Sequence, residues 1–357
     1  MGDKTVKFTK MHGCGNDYIY VYTGTEHIAD SDKQALAVKL SDRHKGIGSD
    51  GLIFINPTDK ADFEMEMYNA DGSRGKMCGN GIRCVGKYVY DKGLTRKKLL
   101  TIDTLSGIKT LELFTNAQDQ VERVSVDMGA ATVSRELQIN LSAHPSAPSS
   151  ADSALSSDGS SALSSYGSSL NSPVDSSSGT SSTASKLSVT GTPVSVGNPH
   201  FVIFTENVEA VPLEHIGPMI EHHASFPGGV NVEFVQILDT NHLRMRVWER
   251  GSGITMACGT GACASVAAAV SRGFCYPEVP VQVELDGGTL EIRASYPMVR
   301  EKCHKTAEEG STPDCQTSRS DSSMTGKPFP VKQTDVIAAF QIQMIGPAIT
   351  ICDGVIQ

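Results

Sequence analysis

The chain has 357 residues, 39% of them hydrophobic and 20% charged, with nine cysteines and a formal net charge of −9. An acidic balance without a basic patch excludes nucleic acid and anionic membranes as primary partners, since both require a positive face, and leaves a small molecule as the expected one. No apolar run reaches the ~18 residues of a membrane span and no charged-then-apolar signal opens the chain, so the odd cysteine count reads as reduced thiols in a cytoplasmic protein.

Residues 5–10 alternate as a short strand and 18–22 form a second, with 11–17 expected to turn between them. Asp30 or Ser31 is placed to cap a helix over 34–40. Gly46, Gly48 and Gly51 mark a turn before a strand at 52–55, and 63–68 alternates strictly with period two, as a strand with one wet face does. Asn69-Ala-Asp-Gly-Ser-Arg-Gly-Lys-Met-Cys-Gly-Asn-Gly-Ile-Arg-Cys84 then leads into a helical run that stops at Gly93. Further strands are predicted at 100–102, 109–114, 121–128, 201–204, 231–238, 243–248, 281–285 and 348–352, and helices at 215–223 and 262–270.

Two stretches break this pattern. Residues 142–185 hold 20 serines in 44 positions and cannot bury enough apolar surface to offset ordering entropy, which predicts a disordered insertion. The polar stretch 296–333 interrupts one strand system and reads as a second loop. Somewhat under 280 residues remain, enough for two modest domains, expected at 1–128 and 129–346, with 347–357 returning to the first. Few βαβ alternations are visible, so the fold class is a mixed, largely antiparallel α+β rather than a doubly wound sheet.

The two halves share a grammar. Gly15-Asn16 and Gly197-Asn198 are each followed by an apolar strand, and Cys78-Gly-x-Gly and Cys258-Gly-x-Gly each by a helix and a basic residue with glycine, Lys92-Gly93 and Arg272-Gly273. The Asn-to-Cys interval is 62 residues in one half and 60 in the other. Two homologous, pseudo-symmetric domains, each wrapped around a central helix and facing across a cleft, follow from this repeat.

Each cysteine stands just before a helix N-terminus, where free amides and the helix dipole favour a thiolate and can hold a carboxylate. A cysteine there can also be a buried small apolar residue. Metal binding is disfavoured: the cysteines form no Cys-x-x-Cys pair, and His12, His200 and Cys84 lie at no ligand spacing. A redox pair normally sits within one short motif. Acid/base chemistry at carbon remains: two equivalent thiols on opposite faces of a stereocentre can remove and supply a proton in either direction, provided the local field lowers one pKa. No motif suited to pyridoxal phosphate is present, so no cofactor is expected.

Met11-His-Gly-Cys-Gly-Asn-Asp-Tyr18, Asn69-Ala-Asp-Gly-Ser73, Met77-Cys-Gly-Asn-Gly-Ile-Arg83, Gly197-Asn-Pro-His200, Val230-Asn-Val-Glu233, Trp248-Glu-Arg250 and Ala257-Cys-Gly-Thr-Gly261 together resemble the diaminopimelate epimerases, in order and across nearly all of the chain outside the two insertions. Proline racemases share the paired cysteines but typically carry histidine where Asn80 stands. The resemblance implies that Cys78 and Cys258 are the acid/base pair, assisted by His200 and Glu249. It implies that Gly79, Asn80, Gly259 and Thr260 bind the reacting carboxylate. Asn16, Asn69, Asn198, Asn231 and Arg250 would hold the far end of the substrate, and Glu249 its ammonium. An asparagine beside glycine is otherwise a common turn residue, and Glu249-Arg250 could be an exposed pair. Gly51 stands where some members have glutamine, and Cys352 where many have a tyrosine linked to homodimer contacts. The implied activity is interconversion of LL- and meso-diaminopimelate in lysine and peptidoglycan precursor synthesis. The alternatives are a racemase of another amino acid on this fold and a non-enzymatic binding protein with structural thiols.

Overall fold

The computed structural model describes residues 5–141, 187–297 and 335–356; the expected disordered insertion, and all but the first two residues of the second polar loop, lie outside them. The first half runs β1 (Val6–Gly13), β2 (Asn16–Tyr22), α1 (Asp30–Ser41), β3 (Gly51–Asn56), β4 (Phe63–Asn69), β5 (Arg74–Gly75), α2 (Gly79–Asp91), β6 (Leu99–Asp103), β7 (Lys109–Thr115) and β8 (Val121–Ser134). After β9 (Leu137–Leu141), the second half runs β10 (Leu187–Ser195), β11 (Pro199–Phe204), α3 (Leu213–Glu221), β12 (Asn231–Asp239) and β13 (His242–Glu249). It continues through β14 (Gly253–Ile254), α4 (Gly259–Ser271), β15 (Val281–Leu285), β16 (Gly288–Ser295), β17 (Val336–Pro347) and β18 (Ile349–Ile356).

The pairing scheme is the same in both halves. In the first, β1 is antiparallel to β2, β2 parallel to β3, β3 antiparallel to β4, β4 antiparallel to β5 and parallel to β6, and β6, β7 and β8 follow antiparallel. The second repeats this order from β10 through β17. The result is the expected mixed-sheet α+β fold. Parallel pairing is more regular than the sequence suggests, however: each of the four helices bridges one parallel pair, because parallel neighbours need a long crossover.

The halves are joined by β8 and β17, paired antiparallel from Arg123↔Pro347 to Ser134↔Val336. Beyond that seam they exchange ends: Val133 of β8 pairs with Val194 of β10, and β18 returns to pair with β1. Helix α1 packs on Ile19, Val21, Leu52 and Phe54, and α3 on Phe201, Ile203, Val232 and Phe234, each as an outer layer. Helices α2 and α4 are buried on nearly every face and share one core with Met128, Ile342 and Met344. An all-round apolar helix such as the alanine-rich α4 belongs inside a core, where each large apolar side chain buried contributes roughly 1.5–3 kcal/mol.

Several local expectations need correction. Helix α1 begins at Asp30 with Ala29 at its N-cap and no side-chain cap, so neither Asp30 nor Ser31 serves that role. The turn expected over 11–17 contracts to Cys14-Gly15, both with positive φ, because β1 and β2 pair down to Gly13↔Asn16. Strands β9 and β10 were not anticipated; they pair from Leu141↔Leu187, so the serine-rich segment joins two ends already held side by side. Among the described residues no helix is long and apolar enough to cross a membrane.

Candidate active site

Cys78 and Cys258 are the N-cap residues of α2 and α4. Both have extended backbones, and each Sγ accepts a hydrogen bond from the amide three residues on, Gly81 N at 3.4 Å and Gly261 N at 3.3 Å. The second glycine of each motif is required by space. A Cβ at Gly261 would lie 2.8 Å from Glu233 Oε1 and 3.2 Å from Cys258 Sγ, and one at Gly81 2.8 Å from Ile53 Cδ1.

The two helix starts meet across the seam. A Cβ at Gly259 would stand 3.7 Å from Gly79 Cα, and the glycines at 79 and 259 both rest on Met344. Asn80, 1% exposed, donates through Nδ2 to Ala257 O at 3.1 Å and so ties one cysteine turn to the other. The sequence signal for two facing motifs thus has a direct contact behind it.

Around Cys78, the thiol donates to Asn16 Oδ1 at 3.4 Å, Asn16 Nδ2 is held by Asp50 Oδ2 at 2.5 Å, and the Tyr18 hydroxyl also reaches the sulfur. Around Cys258, a chain of polar contacts runs inward. The sulfur lies 3.6 Å from Thr260 Oγ1, which accepts from Asn198 Nδ2 at 3.2 Å. Asn198 Oδ1 meets His200 Nε2 at 3.0 Å, and His200 Nδ1 meets Glu233 Oε1 at 2.7 Å. His200 and Glu233 are both fully buried, and Glu233 Oε2 has no hydrogen-bond partner among the described residues. Glu249 accepts from Thr255 Oγ1 at 2.5 Å and interacts with the Cys258 thiol.

Asn231 donates to Pro199 O at 2.8 Å and accepts from Arg250 N at 3.0 Å, which fixes the backbone of Arg250. The exposed Arg250 guanidinium holds only Gly228 O, at 3.3 Å, and no carboxylate among the described residues pairs with it. Asn69 ends β4, opposite Gly51 of β3, and donates to Ser73 Oγ at 2.9 Å; this side-chain hydrogen bond lies within its own turn, not with the cysteine loops.

Burial opposes the helix N-termini at both thiols. Burial pushes the Cys78 thiol up, with the Glu249 carboxylate adding to the rise, against the lowering effect of Gly81 N and Tyr18. Burial pushes Cys258 well up, reinforced by Glu249 and Glu233, and outweighs Thr260 and Gly261 N. Glu249 is also raised, chiefly by burial. In this site desolvation outweighs the helix N-termini at both thiols. The sequence motifs assign no role to Tyr18, Asp50, Arg83, Glu233 or Thr255. Glu233 carries a signal, a carboxylate inside the apolar run Val230-Asn-Val-Glu-Phe-Val235, and Tyr18 and Arg83 stand inside the motifs of the resemblance, whereas Asp50 and Thr255 carry none.

The diaminopimelate epimerase family profile matches residues 8–134 and 192–298. The diaminopimelate epimerase of Methanococcus maripaludis is 46% identical over 288 residues, covering 80% of this chain and 91% of the relative. That of Acetivibrio thermocellus is 45% identical over 287 residues, covering 80% and 90%. A hydroxyproline epimerase from Agrobacterium vitis, solved with bound trans-4-hydroxy-L-proline, superposes with a TM-score of 0.58 at 12% identity over 99% of this chain and 93% of that one, a likeness of fold alone. On its sequence matches and its paired cysteine turns, the chain belongs to the diaminopimelate epimerase family.

Proposed function

We propose that this protein is a cofactor-independent epimerase that interconverts LL- and meso-diaminopimelate by proton transfer at the α-carbon, a step in lysine and peptidoglycan precursor synthesis. The observation that carries the reading is the pair of cysteine N-caps whose helix starts touch across the seam. One helix start with a thiol is a common local arrangement; two that converge form an anion site with a proton carrier on either side.

Before reaction one thiol must release its proton. Glu249, raised by burial and in contact with Cys258, is suited to take it: the Cys258 S–H bond breaks, the Glu249 O–H bond forms, and the thiolate remains. That thiolate removes the α-proton while Cys78 delivers its own to the opposite face, and the reverse reaction exchanges the roles. His200, linked to Cys258 through Asn198 and Thr260, supports the proton movement. The amides of Gly79, Asn80, Gly259 and Thr260 receive the reacting carboxylate and the extra charge it gains as the carbanion develops. Glu249 also meets the adjacent ammonium. Asn16, Asn69, Asn198 and Asn231 hold the distal end, with Arg250 clamping its carboxylate in fork geometry.

The domain division that goes with this reading is 1–128 together with 347–357, and 129–346, so that each domain presents one cysteine. The seven described cysteines are all free, which suits the reducing cytoplasm. A homodimer is part of the reading as well: β18 pairs only with β1 among the described strands, and Ile349, Ile351 and Val355 are 45%, 51% and 58% exposed along it.

The test is α-proton exchange of LL-diaminopimelate in deuterated water without added cofactor. Wild type is expected to exchange and epimerise, and Cys78→Ala and Cys258→Ala to lose epimerisation by at least about a thousandfold, as the loss of an essential acid or base does. Absence of exchange by wild type rejects the activity; full epimerisation by either variant rejects the two-thiol mechanism. Exchange of proline in place of diaminopimelate would assign the fold to a different substrate.

A further inference from the structure

Arg83 has the largest side chain among the fully buried residues, at 0% exposed. A guanidinium keeps its proton in any protein environment, so its charge is permanent. Buried charges are ordinarily paired with an opposite charge. Among the described residues, no carboxylate lies within ion-pair distance of this one; all its partners are neutral. Nε donates to Pro347 O at 3.1 Å, Nη1 to Gly79 O at 3.1 Å and towards Met344 Sδ at 3.6 Å. Nη2 donates to Asn80 Oδ1 at 3.0 Å and towards Cys14 Sγ at 3.8 Å.

These partners come from three elements that meet near the seam: the β1–β2 turn, the first turn of α2, and the end of β17. Asn80 is the link that matters. With its oxygen held by Arg83, its Nδ2 is aimed at Ala257 O, the residue before Cys258. The position five residues after the other cysteine is Cys263, so the cation breaks the pseudo-symmetry and one charge stands behind both helix starts. Its field reaches across the seam and opposes the burial-driven rise of the Cys263 thiol on α4.

We infer that Arg83 is a positioning residue for the reaction: through Asn80 it holds the two cysteine turns in register, and its unmatched buried charge is the standing positive potential that receives the substrate carboxylate. The inference rests on the epimerase reading for the identity of the anion but not for the charge. A carboxylate entering at the helix starts supplies the negative charge that the folded protein leaves out. The same guanidinium then stabilises the second charge that develops as the α-proton departs.

The variants are Arg83→Met, which keeps the volume and removes the charge, and Arg83→Lys, which keeps the charge and removes the fork. Three readouts are taken: the pH dependence of iodoacetamide alkylation at Cys78 and Cys258, KM and kcat for LL-diaminopimelate, and thermal midpoint. Arg83→Met is expected to move the alkylation midpoint of at least one thiol up by roughly one pH unit, as loss of a nearby cation does, and to raise KM tenfold or more. Arg83→Lys is expected to leave the alkylation midpoints in place while kcat falls about tenfold and KM changes less than threefold, because register is lost and charge is kept. Unmoved alkylation midpoints in a folded Arg83→Met overturn the charge role, whatever the substrate proves to be. Wild-type kcat and KM in Arg83→Lys overturn the register role. If Arg83→Met does not fold, equal losses in KM and kcat for Arg83→Lys, with a lowered thermal midpoint, mark a structural arginine and overturn the inference.

Discussion

The proton on each thiol decides what a two-cysteine site can do, and two effects of known size compete for it. A helix N-terminus contributes roughly 0.3–1 kcal/mol to an adjacent negative charge, whereas burial can shift a titratable group by up to 3–5 pH units. Burial is the larger, and both thiols lie above their ordinary value of 9.0. The sign follows: below that value both are protonated, and the wild-type alkylation rate is expected to be still rising above pH 9. Glu233 adds to the rise at Cys258. Glu233→Gln keeps an acceptor for His200 and removes the charge, so it is expected to lower the Cys258 alkylation midpoint by roughly half to one unit without moving Cys78. A rate profile with the two thiols unchanged would contradict Glu233 as a source of that field. The apolar run around Glu233 signals its burial, but the orphaned Oε2 is not legible in sequence, since it depends on what the rest of the chain stacks around β12.

At the scale of the element, the helix starts were the most legible features, because a strand, a glycine turn and a run of small residues are local properties. The turn residues themselves serve close approach more than flexibility. Gly261→Ala gains helix propensity worth about 1 kcal/mol, yet its Cβ meets the buried Glu233 carboxylate at 2.8 Å. Overpacking of that kind costs about 1–3 kcal/mol, so the clash is expected to dominate. The expected outcome is a lower thermal midpoint and a kcat reduced at least about tenfold as Glu233 and His200 shift; an unchanged midpoint and kcat would show that the carboxylate yields freely. Short elements were the illegible ones. Strands β5 and β14 have two residues each, and β9 and β10 border the serine-rich segment, whose composition masks their pairing. The cap of α1 misled for a related reason: Asp and Ser are common at N-caps, but here the first carboxylate of the helix, Asp30, is engaged with Lys33 at 2.8 Å.

Across the whole molecule, the exchanged strands make the halves interdependent. The β8–β17 seam carries eleven residue pairs, and β18 closes on β1, so the site between the halves is held by backbone pairing rather than by side chains alone. Ile349, Ile351 and Val355 are exposed along β18, where the proposed homodimer would cover them. Wild type is expected to sediment at twice its 38.0 kDa chain mass, and Ile351→Asp to shift it toward the monomer; a wild type already monomeric at micromolar concentration rejects the homodimer.

The sequence by itself determined the two cysteine turns, the helices they open, and the repeat that pairs them, because each rests on the order and spacing of nearby residues: the 62- and 60-residue intervals were readable without coordinates. Tertiary structure alone decided how those turns meet. The Asn80–Ala257 contact, the His200–Glu233 pair, the burial-driven rise of the two thiols and the unmatched charge of Arg83 all arise where residues remote in sequence exclude water together. Desolvation is a property of the assembled environment, so no local pattern in the chain encodes it.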